Sequence, residues 1–182
     1  GWNAFKHNEP NALPSILQQS GYRTAIIGKY LNAYGRPDAK PIYGWTDGSV
    51  LVSKEMNVYR GYNFELLNWT NGHLDDSTWN ATQTDRSKFG EKAEEYSTDV
   101  IATKALSYIQ ETEKNDDQPF FLYLTATAPH LPLQPAPRYM QLAEKWINAF
   151  HSKAPNYFND YGKLATSSEL KRPKDKPSFL TE

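Results

Sequence analysis

The 182-residue chain has no cysteine, two methionines and no apolar stretch approaching the length that spans a bilayer. Without cysteine there is no disulfide framework to mark a redox compartment, and the missing apolar run excludes a membrane-spanning helix. No signal-peptide pattern is visible either. Charge of one sign is also lacking, with 20 basic against 21 acidic residues and a formal net charge of −1. No global field therefore points to nucleic acid or to an anionic membrane. An apolar content of 38% is enough for one core, yet a mean hydropathy of −0.75 is polar and fits a chain rich in surface loops.

What is present is a pair of apolar runs, each ending in a side chain that binds anions. Thr24 to Ile27 leads into Gly28 and Lys29, and Phe120 to Leu124 leads through small residues into Pro129 and His130. In open α/β sheets ligands sit outside the carboxyl ends of strands, so this ammonium and imidazole are placed to converge on one anionic group. Read alone, Lys29 is a solvated strand-end lysine and His130 a backbone-bonded loop histidine. Gly21 and Gly28 are a helix stop and a strand-end turn, and Tyr22 is packing beside the strand.

Coarse periodicity predicts helix, strand, a long insertion, helix, strand and an irregular tail. Ala12 to Ser20 puts Leu13, Ile16 and Leu17 on one helical face, and a strand follows over Tyr22 to Ile27. Residues 32–90 are dense in Gly, Asn, Asp, Trp and Tyr, which predicts a loop-rich insertion over the sheet, with hairpins around Asn57 to Tyr59 and Asn63 to Leu66. From Tyr96 a second helix is predicted, with Ser97 as N-cap and Val100, Ile101, Ala105, Tyr108 and Ile109 at helical spacing. A continuous apolar strand after Pro119 argues for a sheet covered on both faces. Arg138 to Phe150 is a short helix and residues 152–182 an irregular tail. Rings of the insertion, Trp45, Tyr59, Tyr62, Trp69 and Trp79, are packing, with stacking on sugars as the alternative. Asn68 and Asn80 fit the glycosylation acceptor pattern.

The wording around both strand ends resembles the sulfatase family. Gly21, Tyr22, Thr24, Gly28 and Lys29 match its G-Y-x-T-x-x-x-G-K signature, and Pro129, His130 and Pro132 match a strand-terminal P-H-x-P. The run Gly28-Lys29-Tyr30-Leu31-Asn32, with Glu9-Pro10-Asn11 before it and Ala136-Pro137-Arg138-Tyr139 after it, looks most like the N-acetylglucosamine-6-sulfatase and extracellular heparan sulfatase branch. Many other sulfatases carry His where this chain has Leu31. The resemblance implies an alkaline-phosphatase-like α/β/α sandwich with a mostly parallel central sheet. Residues 1–182 would be the central portion of its catalytic domain.

By the same resemblance the activity is hydrolysis of a sugar sulfate ester, with Lys29 and His130 as catalytic and sulfate-binding residues. The nucleophile would be a formylglycine made from Cys or Ser in a C/S-x-P-S-R motif, which this chain does not hold. The carboxylate pairs that bind the family's calcium ion have no counterpart either, since Asp75-Asp76 and Asp116-Asp117 fall at the wrong places in the order. The resemblance thus makes the remainder of the domain and a sulfated carbohydrate the partners, and the location secreted, periplasmic or lysosomal. Two other functions stay open on these residues. One is a phosphodiesterase or phosphonate hydrolase of the same superfamily, and the other a noncatalytic carbohydrate-binding module.

Overall fold

A computed structural model describes residues 1–35, 39–52, 59, 61–75, 78–81, 83–114, 117–130, 134–142, 144 and 145. The chain divides into two compact units, residues 1–134 and 135–182. In the second unit, the described residues form a 3-10 turn, Pro137–Tyr139, running into a helical turn over residues 140–142. The irregular tail predicted over 152–182 lies outside the described residues.

The first unit opens with a short helix α1 (Trp2–Phe5), a 3-10 segment (Lys6–Asn11) and helix α2 (Leu13–Gln19). Gly21, at φ +88°, ends that helix, as expected of a residue free to turn left-handed. Strands β1 (Arg23–Gly28), β2 (Asp47–Val52), β3 (Phe64–Thr70), β6 (Gln83–Phe89) and β7 (Phe120–Thr125) make a five-stranded sheet in the order β6-β3-β2-β1-β7. Strands β4 (His73–Asp75) and β5 (Thr78–Asn80) form a separate hairpin. Helix α3 (Ser97–Thr112) precedes β7.

The sheet is mixed, with four of its five strands running the same way: β7, β1 and β2 are parallel, β3 is antiparallel to β2, and β6 is antiparallel to β3. One expectation needs correction: 32–90 is not an insertion over the sheet, because it supplies three of the five strands. Alternation explains why. Val50, Val52, Leu67 and Trp69 join Ile26, Ile42 and Trp45 in a core on one face, while Leu51, Phe64 and Leu66 join Ile27, Val100, Ile101 and Ala105 on the other. Successive strand residues point to opposite faces, so both faces are covered, as the continuous apolar strands predicted.

Helix α3 buries Val100, Ile101 and Ala105 as its spacing predicted, but its N-cap is Tyr96 and Ser97 is its first residue. Helix α2 departs further. Leu13 and Ile16 of its predicted core face are 57% and 52% exposed, and Pro14 and Ser15 are buried instead. Hydrogen bonds hold it inward: the Ser15 hydroxyl donates to the Glu9 carbonyl at 2.7 Å, and Gln18 Nε2 donates to Thr46 Oγ1 and the Gly72 carbonyl.

Candidate functional site

Strands β1 and β7 lie side by side and parallel, with Gly28 level with Thr125, so both chains leave the sheet at the same edge. Gly28 sits at φ +116°, and a Cβ there would overlap the Thr125 carbonyl, so only glycine permits the approach. The Lys29 amide donates to the Thr125 carbonyl at 2.8 Å, and the Thr125 hydroxyl donates to the Lys29 carbonyl at 2.7 Å. These bonds pin the backbone that carries Lys29. Beyond β7 the chain turns through a cis Ala128–Pro129 peptide, and the His130 amide donates to the Thr127 carbonyl at 2.9 Å.

The side chains meet over one ring. His130 stacks on Tyr59 with centroids 3.9 Å apart and planes 19° from parallel, and the Lys29 ammonium lies 5.8 Å from the centre of the same ring. The ammonium and the imidazole predicted to share a site thus face one ring, and the ammonium lies no farther from the imidazole centre than those two distances combined. Lys29 Nζ donates to Asn32 Oδ1 at 2.7 Å and to the Tyr30 carbonyl at 3.0 Å, and the Tyr59 hydroxyl donates to Asn32 Oδ1 at 3.4 Å. An ammonium has three donors, so a third remains for an anion beside these two bonds.

Asn32 and Tyr59 are the members of this cluster to which sequence spacing gave no role. Asn32 was legible only as part of the Tyr-Leu-Asn wording, and Tyr59 only as one of several insertion rings. The structure separates those rings. Trp45, Tyr62 and Trp69 are 4%, 8% and 1% exposed, so they are packed into the core, as the packing reading expected. Tyr59 is half-buried against His130, and the Trp79 side chain lies outside the described residues.

Neither acceptor pattern for a glycan falls within this site. Asn68 is mid-strand in β3, its amide nitrogen donating to Ser87 Oγ at 3.0 Å and its oxygen accepting from Ser49 Oγ at 2.9 Å. A glycan there would replace one of the two amide hydrogens, which face Ser87 Oγ and Asp85 Oδ2. Asn80 ends β5, and Thr82 lies outside the described residues.

Beside Lys29 opens a cleft of about 360 Å³, lined mainly by Leu13, Pro14, Tyr30, Leu31, Trp45 and Tyr123. Leu31 thus contributes apolar wall where the commoner sulfatase wording has an imidazole. Behind the cleft Glu9 is 8% exposed. Its Oε1 accepts from Trp2 Nε1 at 2.9 Å and from the Tyr30 hydroxyl at 3.4 Å. Burial raises this carboxyl above its ordinary pKa of 4.5, against the opposing pull of hydrogen bonds from Trp2, Tyr30 and the Tyr43 backbone. Among the described residues no group of three or more His, Asp or Glu side chains could hold a metal ion, so these residues do not fit a calcium site, which needs six to eight oxygen ligands.

Several known proteins are similar to this chain. N-acetylglucosamine-6-sulfatase of Capra hircus is 34% identical over 163 residues, covering 86% of this chain and 25% of the relative. The putative extracellular sulfatase Sulf-1 homolog of Caenorhabditis elegans is 32% identical over 145 residues, covering 79% of this chain and 18% of the relative. A protein solved in complex with its substrate D-glucosamine-2-N,6-O-disulfate is 26% identical with a TM-score of 0.46, over 72% of this chain and 21% of that one. The chain thus spans about a quarter of the length of the first relative. Residues 3–168 match the family profile described as Sulfatase, and the chain belongs to the sulfatase family.

Proposed function

We propose that the whole protein hydrolyses the sulfate ester of a sugar, glucosamine 6-sulfate or a related glycan sulfate. The observation that carries this reading is the meeting of Lys29 and His130 over Tyr59 at the shared carboxyl edge of β1 and β7. The names of relatives at 34% identity support the choice of substrate. Lys29 would hold a sulfate oxygen as a fixed point charge, drawing on the donor left beside its bonds to Asn32 and Tyr30. Negative charge grows on the sulfuryl and leaving oxygens as the ester breaks, and a preset cation costs no reorganisation at that moment. His130 would bind the sulfate or leaving oxygen and deliver a proton to it. On this reading formylglycine supplies the nucleophile and calcium its charge neutralisation, both from segments outside this chain.

The sulfatase reading also carries a location outside the cytosol: secreted, periplasmic or lysosomal. The extracellular designation of one relative supports it. Among the described residues no helix is long and apolar enough to cross a membrane.

The test is kcat/KM of His130→Ala in the whole protein on two esters, a sugar sulfate and a nitrophenyl sulfate. A sugar alcohol is a poor leaving group and needs the proton, whereas an activated phenol does not. The loss should be far larger on the sugar sulfate. Equal losses would leave His130 as a sulfate binder only, and a loss below about threefold on both would remove it from the site.

A further inference from the structure

Glu9 is a buried carboxylate for which the proposed reaction has no use. Its neighbours nevertheless lead back to Lys29 by two routes. The first is direct: the Tyr30 hydroxyl donates to Glu9 Oε1, and the Tyr30 carbonyl is one of the two acceptors of the Lys29 ammonium. The second passes through Trp2, whose indole N–H donates to the same Glu9 oxygen and whose backbone N–H donates to the Asn32 carbonyl at 2.7 Å. Asn32 supplies the ammonium's other acceptor. Edge-on contacts of Tyr34 with both Trp2 and Tyr30 close the arrangement, and the Glu9 carbonyl is itself held by Ser15 and the Ala12 amide.

We propose that Glu9 is a positioning residue that sets where the Lys29 ammonium points, by fixing the two residues that carry its acceptors. A long lysine side chain has many rotamers, and ordering it before an anion arrives removes an entropic cost from binding. Either oxygen-bearing side chain, carboxylate or carboxamide, can accept from Trp2 and Tyr30 at this place. Glutamine should therefore preserve the function and alanine abolish it. The effect on Lys29 stands by itself, and only its consequence for turnover rests on the sulfate-ester reading.

The experiment is carbon NMR of the 182-residue chain labelled at the lysine ε-carbons, with the Lys29 signal assigned by its loss in Lys29→Arg. Glu9→Ala should move or broaden that signal, and Glu9→Gln should leave it in place. Ile101→Val serves as a stability control, since Ile101 is buried on the other face of the sheet and its truncation weakens the fold without reaching Lys29. An unmoved Lys29 signal in Glu9→Ala, or an equal displacement in Ile101→Val, would overturn the proposal. If Glu9→Ala does not fold, Tyr30→Phe removes only the hydroxyl that reaches Glu9, and an unmoved signal there overturns it as well.

In the whole protein Glu9→Ala should lower kcat/KM on a sugar sulfate by roughly ten- to a hundredfold, with Glu9→Gln restoring most of it. Failure of Glu9→Gln to restore turnover while the Lys29 signal stays in place would contradict the consequence for turnover. A loss below threefold in Lys29→Ala would instead sink the sulfate reading and leave the NMR outcome standing.

Discussion

The two outer strands of the sheet are built on opposite principles. β6 carries Asp85, Arg86 and Lys88, and the last two pair with Glu65 on β3 at 3.7 and 3.4 Å. Such exposed pairs add little stability, but charged side chains along an outer strand discourage further pairing. β7, Phe-Phe-Leu-Tyr-Leu-Thr, has no charge, and Tyr123 and Leu124 are 47% and 50% exposed. Leu13 of α2 shares the cleft with Tyr123 and is itself exposed. β6 is thus a finished edge. β7 is an apolar one, and the cluster proposed to bind the anion lies where it ends. Burial and chemistry are separated: strands β2 and β1, inside the sheet, are buried almost throughout, and the proposed site lies at the strand ends beside β7.

The largest expected effect measures that separation in stability. Trp69 on β3 is 1% exposed and its indole donates to the Trp45 carbonyl at 2.9 Å. Trp69→Ala should cost about 3–5 kcal/mol through lost burial, a cavity and an orphaned carbonyl. Tyr123→Ala on β7 should cost less than about 1 kcal/mol in the same chain, because half of that side chain is already in water. Urea unfolding of both variants checks the pair, and similar midpoints would erase the distinction between the two sides of the sheet.

Function should show the reverse order. In the whole protein Lys29→Ala should lower kcat/KM on a sugar sulfate by roughly 10²- to 10³-fold, about 3–4 kcal/mol, since a fixed charge facing a developing anion is lost. Arg86→Ala at the far edge should change it by less than about twofold, because that pair sits on an exposed strand. Steady-state kinetics on one substrate decides. A loss in Arg86→Ala comparable to that of Lys29→Ala would mean that the reactive edge is not confined to β7.

The apolar edge itself should be visible as association. An uncharged outer strand that has no partner on its far side among the described residues templates pairing with another chain, so the isolated chain should self-associate at micromolar concentration. Leu124→Lys should shift it towards monomer, whereas Ser87→Lys on β6 should not. Sedimentation velocity of the three proteins reads this out, and a monomeric parent chain would show that β7 is protected by other means.

How much of this was legible in the sequence depends on how local each signal is. β1, β7 and α3 announce themselves as continuous apolar runs or helical spacing, and their boundaries shift by a residue only. β2 and β6 were hidden, and β3 showed only at its start in the alternation of Asn63 to Leu66, because Gly48, Asn68, Asp85 and Lys88 dilute a pattern that pairing across the sheet makes plain. At Gly48 even the absence of a side chain has a purpose, since a Cβ would strike the Trp69 ring. α2 misled for the opposite reason: its apolar spacing is regular, yet hydrogen bonds of Ser15 and Gln18 turn the other face inward. Lys29 and His130 could be placed after the ends of two apolar strands because such strand ends are local signals. Tyr59 and Glu9 could not, since 71 residues separate Tyr59 from His130 and 21 separate Glu9 from Tyr30.

The smallest effect concerns Glu9, and its sign follows from burial. The folded state holds the proton more tightly than the unfolded chain, because desolvation raises the carboxyl above 4.5. Below the unfolded value both states are protonated and that contribution to stability is complete. As pH rises, the unfolded chain releases its proton first, so stability falls until the raised folded value has been passed. Glutamine keeps the acceptor for Trp2 and Tyr30 but cannot ionise. Glu9→Gln should therefore match the parent chain near pH 4 and exceed it at pH 7, by a few degrees in Tm at most. Melting curves of both proteins from pH 4 to pH 8 supply the difference. A difference that shrinks or reverses as pH rises would mean that the hydrogen bonds from Trp2, Tyr30 and the Tyr43 backbone outweigh desolvation and hold the carboxylate ionised in the folded chain.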